Sequence, residues 1–277
     1  MTIKRSHRVG WNIVGLVLFF VMVFPVYWMV STAFKTNDQI YSYTPTWFPT
    51  HVTLAHFRNV MNHPYFWTDV KNSVIVVVST VAIALALSFF AALALARYRF
   101  TGRKLFIVLV IGIQMLPQAG LVIPLYVVLG RYHLVNTLPG LILVYLTFSL
   151  PFCVWTLRGF LIGIPKDLEE AAMVDGASRL GAFVRILLPL VAPGLVATSV
   201  FAFVTSWNEY LFASTILKSG STQTITVWLA ALLGGQRAVD WGAVMAASTL
   251  ISIPVVIFFL FVQRRIAFGL TAGAVKG

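Results

Sequence analysis

The chain is poor in charge, and the little it has is lopsided. Of its 277 residues only 10% are Asp, Glu, Lys or Arg, where a soluble domain is nearer a quarter, and 59% are hydrophobic. A composition this apolar excludes an ordinary soluble domain and points to a membrane protein. Acids number eight against twenty Lys and Arg, for a formal net charge of +12. In a soluble chain that excess would suggest nucleic acid or acidic lipid as a partner; here the positions of the basic residues give it another meaning, and no nucleic-acid partner is expected. The one cysteine, Cys153, rules out an intrachain disulfide, and its place inside an apolar run makes it a packing residue. No Gly-x4-Gly-Lys-Ser/Thr loop is present to cradle a nucleotide, and no Gly-x-Ser-x-Gly elbow to present a nucleophile. The histidines (His7, His51, His56, His63, His133) are scattered through connectors and tails, without the spacing of metal ligands. The chain is therefore read as no enzyme, with no catalytic residue, no metal and no cofactor of its own.

What the sequence does have is long apolar runs. Six stretches reach the roughly 20 residues that cross a hydrocarbon core: Trp11–Val30, Ser73–Ala96, Leu105–Leu129, Leu138–Leu157, Leu190–Phe212 and Trp241–Val262. They predict an all-α integral membrane protein with six transmembrane helices. The whole of residues 1–277 is then one transmembrane domain, made of a first span (11–30) and a five-span core (73–262). With the N-terminus inside, fourteen basic residues fall on the inner side and six on much longer outer connectors, so the positive-inside rule makes both termini cytoplasmic. The basic start followed by an apolar run resembles a signal peptide, but the run is too long for one and is read as a retained anchor. Pro25, Pro117, Pro124, Pro151, Pro193 and Pro254 fall within the spans and predict kinks.

One polar interlude, residues 165–189, interrupts the basic side. Pro165 and the acids Asp167, Glu169 and Glu170 favour a helix start, because proline suits the first helical position and acids suit the positive end of the dipole. Leu168, Ala171 and Ala172 share one mildly apolar face; Gly176 permits a sharp turn, and a second helical piece is expected from Ala177 to Leu187. Such an elbow suits a partner's cleft.

Its residues carry a resemblance. Glu170-Ala171-Ala172, three residues, Gly176, nine residues, Ile186, one residue and Leu188-Pro189 resemble the EAA loop of binding-protein-dependent ABC importer permeases of type I. The tail, Phe268 to Gly277, resembles that of the second permease subunit of maltose-type carbohydrate importers, and Trp207-Asn208-Glu209 is similar to a cluster common in sugar-importer permeases. The resemblance implies a cytoplasmic coupling loop (165–189) seated in a cleft of an ATPase subunit through Glu170, Ala171, Ala172, Asp175 and Gly176, with Ile186, Leu188 and Pro189 anchoring it to the fifth span. It implies that the cytoplasmic tail (268–277) meets the ATPase dimer through Gly269, Thr271, Gly273 and Lys276. Trp207, Asn208 and Glu209 become candidates for the translocation path or outer gate. The implied partners are a second, different permease forming a heterodimer with this chain, two ABC ATPase subunits carrying ATP and Mg, an extracytoplasmic sugar-binding protein, and membrane lipid. The implied location is a bacterial or archaeal cell membrane. The chain departs from the maltose permease in its short Ala213–Asp240 connector, which leaves a scoop into the binding protein open.

Three rival readings meet the same residues. An ion-coupled sugar carrier would need ionisable groups inside the spans, which are nearly bare. An enzyme acting on lipid-linked sugar would need a nucleophile, a metal cluster or a carboxylate pair. An ABC permease for a non-sugar solute would share the Glu170 loop, and only the tail and the Trp207 cluster favour sugar over it.

Overall fold

The computed structural model describes the backbone of residues 5–234 and 239–273 and the side chains of residues 10–234 and 239–263. In chain order its helices are α1 (Arg5–Ala33), α2 (Asn37–Ile40), α3 (Ala55–Met61), α4 (Phe66–Arg97), α5 (Arg103–Gln114), α6 (Gln118–Arg131), α7 (Leu138–Gly163), α8 (Asp167–Val174) and α9 (Arg179–Ala182). A π-helical turn (Phe183–Leu187) leads into α10 (Leu188–Trp207), followed by α11 (Leu211–Ile216), α12 (Ile225–Leu233) and α13 (Trp241–Gly273). The only β pairing among the described residues is an isolated antiparallel bridge between Lys35 and Val52.

Five segments are long and apolar enough to cross a membrane: Gly10–Ala33, Phe66–Arg97, Leu138–Gly163, Arg179–Trp207 and Trp241–Gln263. The sequence predicts a single third span over Leu105–Leu129, kinked at its prolines. Instead α5 and α6 meet at 103°, so the sixth crossing exists only if that bent pair is one broken span. Pro117 is the physical reason. Met115 and Leu116 bond back to the Gly112 and Ile113 carbonyls, tightening the last turn of α5, and Pro117, with φ −65° and ψ 120°, leaves helical geometry before α6 begins. Proline disfavours helix in the residue before it and has no N–H to continue the ladder. Pro25, Pro124, Pro151, Pro193 and Pro254, by contrast, lie inside continuous helices.

Other boundaries move as well. Helix α4 starts at Phe66, so Asp69 and Lys71 lie within it, and the Asp69 side chain is fully buried with neither oxygen hydrogen-bonded. The fifth span stops at Trp207, and Phe212 belongs to α11. The connector predicted over Ala213–Asp240 contains α12, whose Ile225, Val227 and Trp228 are buried.

The chain divides into two compact units. One comprises Met1–Phe66 with Leu229–Pro254, the other Trp67–Trp228 with Val255–Gly277. In the first, none of the most apolar window of α1 is buried, whereas Ser31, Thr32 and Ala33 at its end are. The segment after α1 folds back: the Tyr27 hydroxyl donates to the Trp47 carbonyl at 2.6 Å, and buried His56 bonds through Nε2 to the Lys35 carbonyl at 3.0 Å.

Among the described residues of the second unit, three core clusters lie along α7. Leu141, Val144 and Tyr145 pack with Val76, Leu129, Phe212 and Ile216 at one end. Leu146 and Cys153 meet the small residues Ala84 and Ala202 midway, and Leu157 and Leu161 meet Phe89, Ala92, Leu187 and Val191 at the other end. Lipid is as apolar as leucine, so these helices are held by close packing and polar contacts rather than by escape from water. Gly194 illustrates it, because a Cβ there would overlap the Phe160 ring.

Asn136 clamps the loop after α11. It sits at φ 60°; its Oδ1 accepts from the backbone N–H groups of Lys218 (2.8 Å) and Ser219 (3.1 Å) and from the Thr222 hydroxyl (2.7 Å), while its Nδ2 donates to Ser219 Oγ (2.7 Å). Asn72 Nδ2 holds the same loop at the Ser221 and Gln223 carbonyls, and Ser73 Oγ accepts from the N–H of Ile225. Asn136→Ala leaves those donors unpaired and keeps the left-handed backbone without the side chain that suits it, so a loss of about 2–3 kcal/mol is expected. Thermal unfolding in detergent measures it, and Asn136→Asp, which keeps the acceptor, should lose less.

Candidate functional site

The polar elbow of residues 165–189 is built as its sequence suggests at the start and differently at the end. Helix α8 begins at Asp167 with Asp167, Glu169 and Glu170 in its first turn, where acids offset the helix dipole. It closes at Asp175, and Gly176 follows at φ 89°, a left-handed conformation in which glycine bears no steric cost. Ser178 then caps α9, its hydroxyl accepting from the N–H of Gly181 at 3.1 Å.

The second helical piece expected over Ala177–Leu187 is not one α-helix. Ile186 lies in the π turn, and Leu188 and Pro189 are the first residues of α10. Pro189 accounts for the wider turn: it cannot donate to the Arg185 carbonyl, and its ring crowds that carbonyl in regular α geometry.

Helix α8 has no buried residue. Glu170, Ala171, Asp175 and Gly176 are exposed, Ala172 is half-buried, and apolar Val174 (88%) and Leu180 (70%) stand open to solvent. Leu187 beside the motif is fully buried, and Ile186 and Leu188 are half-buried. The elbow is thus rooted at its α10 end and bare at its α8 end.

What holds α8 to the bundle is an arginine that sequence reasoning did not single out. Arg97, the last residue of α4, places Nη2 2.8 Å from Glu169 Oε1 and donates through Nη1 to the Leu161 carbonyl of α7 at 2.9 Å. Lys166 Nζ donates to the Arg97 carbonyl at 3.2 Å. One guanidinium therefore joins α4, α7 and α8, with its side chain and that of Glu169 largely withdrawn from water. Glu170, the acid of the motif, is left facing a cleft of about 320 Å³ whose walls include Arg97, Lys166, Glu169 and Arg179. A neighbouring cleft is walled by Arg99, Arg103, Lys104 and Arg158, so the elbow lies at the strongly basic end of its unit.

The Trp207-Asn208-Glu209 cluster has three separate sets of partners. Trp207 is buried and stacks on Phe203, with centroids 5.8 Å apart. Asn208 donates to the Val204 carbonyl of its own helix. The Glu209 carboxylate accepts from the Tyr145 hydroxyl (2.8 Å) and from the N–H groups of Phe212 (2.8 Å) and Ala213 (3.0 Å), capping α11 and tying it to α7. The tail residues Gly269, Thr271, Gly273 and Lys276 lie outside the described residues, as regards side chains for the first three and altogether for Lys276. Among the described residues no group of His, Cys, Asp and Glu is placed to hold a metal ion.

Removing the guanidinium should loosen α8 without unfolding the bundle. For Arg97→Met, amide exchange over residues 167–174 should quicken on the order of tenfold, the equivalent of one charge-assisted contact, while exchange in the core of α7 stays unchanged.

Against this geometry stand the comparisons with known proteins. The family described as "Binding-protein-dependent transport system inner membrane component" matches residues 84–271. The diacetylchitobiose uptake system permease protein DasC of Streptomyces coelicolor is 46% identical over 99% of this chain and 100% of its own length. The trehalose/maltose transport system permease protein MalG of Thermococcus litoralis is 36% identical over 96% of each. Among solved structures, a chain of a bacterial ABC transporter involved in the import of the acidic polysaccharide alginate superposes with a TM-score of 0.80, at 21% identity, over 95% of this chain and 99% of that one, which speaks for the fold alone. Spans, elbow and whole-length similarity agree: this multi-pass chain of the cell membrane belongs to the family of binding-protein-dependent transport system inner membrane components.

Proposed function

We propose that the chain is one permease subunit of an ATP-driven importer for a sugar or oligosaccharide, delivered by an extracytoplasmic binding protein. The carbohydrate class rests on whole-length relatives named for diacetylchitobiose and for trehalose and maltose. The observation that carries the coupling mechanism is the elbow itself: α8 has no buried residue and exposes Val174, and α9 just after the Gly176 turn exposes Leu180, at the basic end of their unit. Apolar side chains displayed on so short an elbow suit a partner's groove better than water.

In this reading the groove belongs to an ABC ATPase, two copies of which bind ATP and Mg and perform the hydrolysis, and a second permease completes a heterodimer with this chain. Both termini and the elbow face the cytoplasm. Glu170 makes the polar contact in the groove, Ala171 and Ala172 allow close approach, Asp175 and Gly176 set the elbow, and Ile186, Leu188 and Pro189 root it in α10. When the ATPases close, α8 moves with them, and Arg97 hands the displacement to α4 and α7, rocking the spans between inward-open and outward-open forms. Glu209 and Tyr145, with neighbours Trp207 and Asn208, brace the outer gate. The tail, through Gly269, Thr271, Gly273 and Lys276, meets the ATPase dimer.

Gly176→Leu forces a bulky side chain into a left-handed backbone and Glu170→Lys reverses the contact charge, so each should reduce sugar uptake in vesicles at least about tenfold. Membrane insertion and assembly of the other subunits should persist. Uptake at the unaltered level with Gly176→Leu would remove α8 from the mechanism.

A further inference from the structure

At the end of the first unit opposite the N-terminus of α1 lies a cleft that the transport reading does not use. It is about 290 Å³ in volume and is walled by Trp28 and Thr32 from the last turns of α1, by Lys35 and Thr46 from the segment that folds back, and by Trp241 and Met245 from the first turns of α13. Both helices are apolar enough to span a membrane, and the cleft sits where one ends and the other begins. It therefore lies at the boundary between hydrocarbon and water, the depth that tryptophan favours.

We propose that this cleft holds the phosphate of a membrane phospholipid headgroup. Lys35 is the first reason. Its side chain is almost wholly buried, yet its ammonium meets only the Thr46 carbonyl at 2.6 Å and the Trp28 ring, 4.1 Å from the centroid. Among the described residues no carboxylate lies within 4 Å of it, and burial lowers its pKa from the ordinary lysine value, as expected of a cation that lacks a counter-charge. An ammonium has three donors, and here one is used by a protein acceptor.

The hydroxyls of Thr32 and Thr46 are the second reason. Both are buried and without a hydrogen-bond partner, a state that costs free energy unless a ligand supplies the acceptor. A tetrahedral anion offers several oxygens at once, enough for an ammonium and two hydroxyls. The third reason concerns what the anion is attached to. Helix α1 leads away from the cleft with Phe20, Phe24, Val17 and Val21 all exposed, an apolar rail along which acyl chains can lie. Free phosphate would make no use of it.

The test is native mass spectrometry of the detergent-solubilised full-length chain titrated with dioleoyl-phosphatidylglycerol. A lipid is expected to bind with an apparent affinity that falls about fivefold or more in Lys35→Met, the order of one interfacial cation, and stays unchanged in Lys71→Met, a control at an exposed lysine. Thr46→Asp is the second variant: it supplies an anion beside Lys35 and should expel the lipid even if Lys35→Met fails to fold. Binding of both Lys35→Met and Thr46→Asp within twofold of the unaltered chain would overturn the proposal. Displacement of the lipid by equimolar inorganic phosphate would overturn it in favour of a free anion. Loss of the Lys35-dependent site in the assembled importer would overturn it in favour of a partner subunit as occupant.

Discussion

The closeness of α7 and α10 is the constraint on which the second unit depends. In lipid no hydrophobic force presses two helices together, so they stay together only where their surfaces interlock and their few polar groups find partners. Gly194 lets α10 come against the Phe160 ring, and α7 then presents residues of all three core clusters to its neighbours. Each end of α7 is secured by a charged or hydroxyl group. At one end the Leu161 carbonyl receives Arg97; at the other the Tyr145 hydroxyl binds Glu209.

The first unit uses its polar atoms differently. His56 and Lys35 are buried beside each other in the chain's return from α1, and a Cβ at Gly242 would collide with the His56 ring, so the start of α13 fits closely against α3. With α1 packed only over its last turns, against Trp47 and Phe48, the fold-back segment carries much of this unit's internal order. Its polar contacts are local, with Tyr27, Lys35 and His56 each bonding to a carbonyl of the fold-back segment.

Much of this was legible in the sequence, for physical reasons that differ by element. Long apolar runs have one use in a chain, so the spans could be found and the all-α class stated. The start of α8 was legible because acids at a helix N-terminus act through the local dipole, and the Gly176 turn because only glycine takes φ 89° without steric cost. The break at Pro117 was not, since six prolines share one local chemistry and only tertiary surroundings decide which freed carbonyl finds another partner. Arg97 and Asn136 were missed because each acts on residues remote in the chain: Glu169 and Leu161 for one, the Lys218–Thr222 loop for the other. The chemistry of an arginine at the end of a span is written in the sequence, but its address is not.

The π turn between α9 and α10 has a bearing on the motif's fixed spacing. A turn of this kind stores one residue more than an α turn, and each residue of an α-helix advances the chain by about 100° around its axis. Were one residue removed between Gly176 and Pro189, the π turn would tighten to an α turn and the bearing would hold; were a second removed, with the store already empty, everything before it would swivel by roughly that angle relative to α10. Glu170 and its exposed neighbours would then aim at a different quadrant. The nine residues that separate Gly176 from Ile186 thus act as a gauge length, setting the bearing on which the elbow leaves the bundle.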